Sequence, residues 1–363
     1  MSKAADLART ASASETALSN RNIVINGAMQ VAQRGTSVAS TVGDTYLTVD
    51  RFVFNNGGGA TAGRFTSKQT ADGPSGFANC LEVDVTTADT SIAAGEHMLI
   101  GYRFEGQDLQ QLKKGTSDAE QFTVSFYVKG NANATYVCEF FDRDNTRLIQ
   151  NRFSVTSSWS RVVISFAADT TGAFDDDTAQ SMDMAIWLHA GSTFSSGTYT
   201  ANTWAGHVNA NRAVGINSIY TSTDNYFRMT GLQLEVGPVA TPFEHRSYGQ
   251  ELALCQRYYY NYVSGNLKSV FAAAAILANY ITAVITFPVT MRAAPSAVIA
   301  SGTGYYAEYS QGETAFSDFT GERLDVNSAT LSKNAGGVSI TAGDSTIVYT
   351  KNASSSISFD AEL

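Results

Sequence analysis

Several long stretches of this chain place an apolar residue at every second position, and this alternation limits the folds available to it. Phe122, Val124, Phe126 and Val128 share one side of such a stretch, and the pattern returns at 136–140, 162–166, 182–188, 281–291 and 357–363. Successive side chains of a β-strand point to opposite faces, so each stretch predicts a strand with one buried face. Between residues 20 and 240 no amphipathic stretch of helix length interrupts them. Many short strands joined by Gly, Asn and Ser predict an all-β fold.

Breaks in the pattern predict the domain organisation. Residues 1–20 form a short N-terminal leader, residues 21–246 a jelly-roll β-sandwich, 247–262 a connector, and 263–363 a smaller C-terminal β-sandwich. The connector fits one or two helical turns or the opening of a strand, and both alternatives stay open. The apolar parity flips near Gly231, which predicts a one-residue bulge there. Pro288 cannot donate to a ladder, so the strand around it is expected at an edge or at a bulge.

Composition excludes several classes of partner. Charged residues make up 16% of the 363 residues, and the net charge is −9. Nucleic-acid binding needs clustered Lys and Arg, and the longest basic run is Lys113-Lys114, so no nucleic-acid partner is expected. No run of 18 apolar residues and no signal-peptide pattern is present, so no membrane insertion or export signal is expected. The three scattered cysteines predict buried free thiols.

The sequence offers little support for catalysis. It contains no HExxH, GxSxG or phosphate-loop motif, and we expect no enzyme and no catalytic residues. Asp175, Asp176 and Asp177 form the densest acidic group, in a Gly- and Thr-rich loop. A solvated turn is one interpretation, and a structural Ca²⁺ held by loop carboxylates is the other. No other cofactor is expected.

Two groups of residues are candidates for binding. If Met182, Met184, Ile186 and Leu188 face the core, Asp183, Trp187 and His189 face outward. An outward Trp can stack on the apolar face of a sugar, so these three residues are a candidate glycan platform; the alternative is that a loop or a neighbouring subunit covers Trp187. Tyr258, Tyr259 and Tyr262 are candidates for a subunit interface, where tyrosine is favoured.

Four stretches resemble phage tail-fibre and related virion proteins, especially those of marine phages. They read NRNIVINGAMQVAQRG (20–35), YLTVDRF (46–52), YFRMTGLQLEVG with ATPFEHR (226–246) and ELALCQRYY (251–259). The resemblance implies an N-terminal sandwich similar to carbohydrate-binding modules, a connecting segment, a C-terminal β domain and a homotrimer in the virion. It carries over no set of sugar-binding residues.

These observations predict a phage virion protein made in the host cytoplasm. The leading hypothesis is a tail fibre or similar appendage that attaches to tail or capsid proteins through its N-terminus and binds a host cell-surface glycan. The alternatives are a purely structural head fibre, decoration or tail adaptor protein, and a polysaccharide depolymerase. The depolymerase is disfavoured because no fixed repeat of 20–25 residues is present.

Overall fold

The computed structural model describes residue 3 and residues 20–58, 62–310, 312–334 and 337–363. The fold is all-β, with a few short helical segments. The leader predicted at residues 1–20 lies outside the described residues except for residues 3 and 20. No helix in the described part of the chain is long and apolar enough to cross a membrane. The chain divides into two compact units, one comprising Met1–Glu251 with Leu363 and the other Leu252–Glu362.

The first unit is a sandwich of two antiparallel sheets, counted over the described residues. Its strands are β1 (Ser37–Ala39), β2 (Gly43–Tyr46), β3 (Phe52–Gly57), β4 (Arg64–Thr70), β5 (Cys80–Thr87), β6 (His97–Glu105), β7 (Phe122–Gly130), β8 (Ala134–Asp142), β9 (Arg147–Val155), β10 (Ser160–Phe166), β11 (Gln180–Ala190), β12 (Ala205–Gly206) and β13 (Tyr226–Val236). Sheet I has the order β1-β4-β5-β13-β7-β10, and sheet II has the order β12-β9-β8-β11-β6-β3-β2. The connections contain 3-10 turns at Gly106–Leu112, Asn209–Asn211 and Ile219–Thr221, and the one-turn helix α1 (Ser192–Ser195).

The inner faces of the two sheets form one hydrophobic core. Phe122 and Phe126 of sheet I pack edge-on against Phe140 and Phe153 of sheet II. The apolar side of the stretch at 122–128 is buried, as expected, and Phe122 is the most exposed of its four apolar residues at 3%. In the stretches at 162–166 and 281–291 most apolar residues are buried, while Val162 and Val289 are half-buried. Burying one such side chain stabilises the fold by about 1.5–3 kcal/mol. The three cysteines are buried thiols, and none forms a disulfide with another, in agreement with the prediction.

The bulge predicted near Gly231 is present in β13. Thr230 pairs with Tyr127 and Gln233 pairs with Ser125, so β13 advances three residues while β7 advances two. Gly231 has a φ of +64°, a backbone conformation that glycine adopts without strain. The extra residue lets apolar side chains on both sides of the bulge reach the same core.

The second unit is also formed by two antiparallel sheets. In the described residues its strands are β14 (Tyr259–Ser264), β15 (Ser269–Leu277), β16 (Tyr280–Thr286), β17 (Ser296–Ile299), β18 (Tyr306–Tyr309), β19 (Glu313–Phe316), β20 (Thr320–Glu322), β21 (Ser328–Asn334), β22 (Ser345–Thr350) and β23 (Ser356–Asp360). Sheet III has the order β14-β23-β17, and sheet IV has the order β19-β18-β22-β15-β16-β21-β20. Residues of both sheets, such as Phe359 and Ile281, share one core.

Two expectations from the sequence concern the connector and the strand before Pro288. Helix α2 (Tyr248–Gln256) precedes β14, so the connector contains a helix followed by a strand. The expectation about Pro288 was wrong, because β16 ends at Thr286 and lies inside sheet IV, between β15 and β21. Pro288 follows the end of the strand, where its missing N–H removes no ladder hydrogen bond.

Candidate functional site

A cavity of about 270 Å³ lies on the face of sheet II that points away from the core. Its floor comes from β11, β6 and β3, which are neighbours in the sheet. The antiparallel register places their outward side chains in rows: Trp187, Leu99 and Asn55; Ala185, Gly101 and Val53; and Asp183 with Arg103. The alternation that buries one face of each strand therefore builds this surface on the other face.

Two of the three residues in the middle row, Gly101 and Ala185, are small, which leaves room above the floor. Gly101 has no side chain, and a Cβ built there would lie 2.8 Å from Cγ1 of Val53. Ala185, beside it on β11, adds a single methyl group. The larger residues of the two flanking rows then form walls around a hollow, whose volume is close to the lower end of the range for small-ligand sites.

Trp187 forms one wall, but its ring is covered. Only 1% of the residue is exposed. Phe194 lies over it at 5.2 Å between ring centroids, and the guanidinium of Arg212 lies 4.8 Å from the indole ring. The interpretation as an open stacking platform was therefore wrong, and the alternative that a loop covers Trp187 describes the structure. The indole Nε1 is buried and has no hydrogen-bond partner among the described residues.

Three arginines from separate elements border the cavity, and each is held by a carboxylate. Nη2 of Arg103 donates to Asp44 at 2.7 Å, and Nε of Arg143 donates to Asp183 at 2.6 Å. Arg212 donates from Nε to both carboxylate oxygens of the buried Glu139, at 3.1 and 3.0 Å.

The carboxylates fix both the charge and the orientation of these arginines. Burial works against the charge of Arg212, but Glu139 outweighs it and raises the pKa of the guanidinium. A guanidinium held in this way loses less freedom when it binds an acceptor.

Asp183 lines the cavity, as the sequence predicted for an outward residue of β11. Its carboxylate is largely buried, and burial raises its pKa although Arg143 beside it acts in the opposite direction. Both carboxylate oxygens accept hydrogen bonds, one from Arg143 and one from Gln180. Asp183 therefore orients Arg143 and has little remaining capacity to bind a ligand itself.

Sequence reasoning missed His97 and Asn55, which face the cavity from β6 and β3. Nε2 of His97 lies 2.8 Å from Oδ1 of Asn55, and the imidazole packs edge-on against Phe194 at 5.0 Å. The alternation in β6 could have placed His97 and Arg103 on the outer face, because Met98, Ile100, Tyr102 and Phe104 form the inner one. Nothing in the sequence indicated that β6 pairs with β11.

The structure contradicts the prediction for His189, which is fully buried. A bulge between Trp187 and His189 shifts the register and turns the imidazole toward Tyr220, 5.1 Å away between ring centroids. Nδ1 lies 2.7 Å from Oγ of Ser218, and burial lowers the pKa of His189 to about 4. His189 therefore belongs to the interior and does not contribute to the cavity.

Asp175, Asp176 and Asp177 lie exposed in the loop before β11. The amide of Asp175 donates to Asp144, and the carboxylate of Asp177 accepts from the amide of Ala179. Across the described ranges, no three His, Cys, Asp or Glu side chains converge in a way that could hold a metal ion. Calcium at these aspartates stays a prediction.

A buried ammonium group occupies the base of the same loop. Nζ of Lys114 lies 2.5 Å from Asp142 and 3.2 Å from Asp169. It also donates to the carbonyl oxygens of Thr171 and Gly172, both at 2.8 Å. Lys114 thus supplies the positive charge that two buried carboxylates require.

The tyrosines predicted to form a subunit interface differ in exposure. Tyr258 is 1% exposed, so the prediction is wrong for this residue. Tyr259 and Tyr262 are half-buried. The hydroxyl of Tyr262 donates to the carbonyl of Val270, and its ring packs against Tyr260 in the core of the second unit. Tyr306 belongs to the core of the second unit, and Tyr260 and Tyr262 pack against it, whereas Tyr309 is exposed.

Comparisons with known proteins give likeness in fold only. No protein-family model matches the chain, and the search of curated proteins gave no significant match. Among solved structures, the chain is similar to the enzymatically active domain of tailspike protein 4 of bacteriophage CBA120, with TM-score 0.32 and 11% identity over 60% of this chain and 21% of that one. It is also similar to the family 11 carbohydrate-binding module of a cellulosomal cellulase of Clostridium thermocellum, with TM-score 0.27 and 14% identity over 56% of this chain and 100% of that one.

A third similar structure is the CBM22-1 xylan-binding domain of Xyn10C from Paenibacillus barcinonensis, with TM-score 0.27 and 14% identity over 56% of this chain and 94% of that one. The chain thus spans about a fifth of the length of the tailspike and nearly all of the two modules. At these scores and identities the likeness supports no inference about what this chain binds.

Proposed function

We propose that the first unit binds a glycan in the cavity on sheet II and does not convert it. The observation that carries the proposal is the buried N–H of Trp187, which has no acceptor among the described residues. A buried donor without an acceptor costs about 1–3 kcal/mol. Phe194 and Arg212 cover the indole, so a ligand oxygen recovers that free energy when its binding displaces one of these side chains.

The rest of the lining suits a sugar. A sugar ring has an apolar face of C–H groups and a rim of hydroxyls, so its site needs apolar surface beside hydrogen-bonding groups. Phe194, Leu99 and Ala185 supply apolar surface, while Asn55 and His97 supply polar groups at the edge. The lining is about as polar as it is apolar, and small-ligand sites likewise place polar groups beside apolar surface.

Each carboxylate near the cavity is paired with an arginine, which favours sugar binding over sugar hydrolysis. Glycosidases need two carboxyl groups about 5–9 Å apart, facing each other across the substrate. Near the cavity, the carboxylates of Asp183, Asp44 and Glu139 each hold an arginine. We therefore propose a binding module and no depolymerase.

A place in a phage virion, as a homotrimeric tail fibre or similar appendage, is part of the proposal. It is supported by the resemblance of residues 20–35, 46–52, 226–246 and 251–259 to virion proteins. A head fibre, decoration or tail adaptor protein is the alternative if no glycan binds.

Exposed apolar side chains on sheet IV support self-association. Tyr309, Ile347 and Ala272 lie opposite one another on β18, β22 and β15. Tyr309 is 61% exposed and Ile347 is 60% exposed. Adjacent exposed apolar side chains are a candidate contact surface for a second copy of the chain. Light scattering of the wild type should give the mass of a trimer. Ile347→Lys should weaken the trimer, whereas the control Val163→Lys, on sheet I of the first unit, should not. A wild-type monomer at micromolar concentration would contradict this part of the proposal.

The glycan proposal is tested by filling the cavity. The full chain is applied to an array of bacterial surface polysaccharides, and the best ligand is measured by titration calorimetry. Ala185→Leu enlarges a floor residue that faces away from the core, so it should abolish binding. Val163→Leu makes an outward change on sheet I, at a position 49% exposed, and should bind like the wild type.

A second pair of variants tests the unpartnered donor. Trp187→Phe removes the indole N–H and should weaken binding about 3- to 10-fold, the contribution of one hydrogen bond. Trp159→Phe removes a comparable N–H outside the cavity and should leave affinity unchanged. Equal binding by Ala185→Leu and wild type would refute the proposed site, and release of reducing ends from the polysaccharide would refute the binding-only function.

A further inference from the structure

The three arginines at the cavity have a consequence for the kind of glycan. Resting on the proposed function, we infer that the cavity on sheet II selects an anionic sugar, one that carries a carboxylate or a sulfate. The inference follows from which hydrogen-bonding groups at the cavity are already in use and which remain.

The acceptors of the lining are largely occupied. The carboxylates of Asp44 and Asp183 accept from Arg103 and Arg143. Oδ1 of Asn55 lies within hydrogen-bond distance of Nε2 of His97. A neutral sugar hydroxyl both donates and accepts, and here its proton can go to the second carboxylate oxygen of Asp44, whereas both oxygens of Asp183 already accept hydrogen bonds.

Donors, in contrast, remain. Arg143 and Arg212 use Nε and Nη2 to bind their carboxylates, and Nη1 of each has no acceptor among the described residues. Nε1 of Trp187 is a third unused donor at the same cavity. Three unused donors beside occupied acceptors suit a ligand group that only accepts, and carboxylate and sulfate are such groups.

Net charge at the site does not by itself favour an anion. The lining contains three arginines and two aspartates, a surplus of one positive charge in a chain whose net charge is −9. Glu139 beneath Arg212 balances that surplus, so the preference rests on the unused donors more than on net charge. Arg143 is the most accessible of the three, with 49% of its side chain exposed.

The test compares the affinity for anionic polysaccharides with the affinity for their neutral counterparts. Calorimetry on the full chain uses fragments of polygalacturonate against the same fragments after carboxyl reduction, and dextran sulfate against dextran. We expect at least one anionic member to bind about tenfold more tightly than its neutral counterpart, the difference made by one charge-assisted hydrogen bond. The pair that shows the preference identifies the carboxylate or the sulfate as the anion.

Variants locate the preference. Arg143→Gln and Arg212→Gln should each reduce it by at least about threefold, and Arg143→Lys should retain part of it because the charge remains. Arg161→Gln removes a positive charge from sheet I and is the matched control. Thermal unfolding of each variant identifies any that fails to fold, and for such a variant the corresponding Lys substitution replaces it.

Each outcome decides the inference. Equal affinity for the anionic polysaccharides and their neutral counterparts overturns it and leaves the proposed glycan binding standing. A preference that survives in both arginine variants places the contact elsewhere and also overturns it. Absence of binding to every probe, together with a negative polysaccharide array, overturns both this inference and the proposed function.

Discussion

Replacing Lys114 with Met should destabilise the first unit more than any surface change. The variant removes the ammonium that lies between Asp142 and Asp169, and Asp142 is 0% exposed. Removing one partner of a buried ion pair costs about 3–5 kcal/mol, because the other charge is left buried without compensation. The carbonyl oxygens of Thr171 and Gly172 lose their donor as well.

The magnitude can be followed by thermal unfolding. For a unit of this size 1 kcal/mol shifts Tm by about 2–4 °C, so Lys114→Met should lower the Tm of the first unit by about 6–20 °C. Lys113→Met is the matched control, because the neighbouring Lys113 lies in solvent with an exposed partner, Glu120, 2.8 Å away. Its Tm should stay close to that of the wild type.

A double variant tests the cause. Asp142→Asn in the Lys114→Met background removes the uncompensated charge and should recover part of the lost stability, whereas Asp169 keeps its bond from Arg147 at 2.8 Å in either background. If Lys114→Met unfolds within about 1 °C of wild type, or if Asp142→Asn lowers its Tm further, the reasoning about the buried charge is refuted.

Three further predictions follow from the same structure. Burial lowers the pKa of His189 to about 4 in the folded protein, below its value of about 6.5 in the unfolded chain. The unfolded chain therefore takes up a proton at a higher pH, and the free energy of unfolding should fall as the pH drops from about 6.5 to 4. In urea titrations His189→Asn should remove this pH dependence, which amounts to up to about 3 kcal/mol. Gly231→Ala places a Cβ on a residue with a φ of +64° and only 2.7 Å from the Phe77 ring. The free energy of unfolding, measured with denaturant, should therefore fall by about 1–3 kcal/mol. An unchanged free energy would contradict the role of the bulge. Phe194→Ala should uncover Trp187 and shift the tryptophan emission to longer wavelength; an unchanged spectrum would show that Phe194 is not the cover.

The sequence predicted strands and their buried faces well because both depend on local alternation. The strand containing Phe122 and the bulge at Gly231 follow from period two and one parity change, and neither needs knowledge of distant residues. Pro288 was misplaced because β16 ends at Thr286, before the proline, and alternation alone does not mark where a strand ends.

The site could be predicted only in part because it depends on pairing between distant strands. The outward position of Trp187 follows from alternation, but its cover by Phe194 and Arg212 comes from a loop whose path is not encoded in any local pattern. The prediction for His189 was wrong because a bulge lies between it and Trp187, and no glycine marks that bulge in the sequence. Arg103 and Asn55 reach the cavity through the β11-β6-β3 order, which alternation alone does not specify.

The most direct test of the central claim is a crystal structure of the chain with its best-binding oligosaccharide. We predict that the sugar lies on sheet II between β11, β6 and β3, with an oxygen within about 3.2 Å of Nε1 of Trp187. An oligosaccharide found on the second unit, or on the outer face of sheet I, would contradict the account.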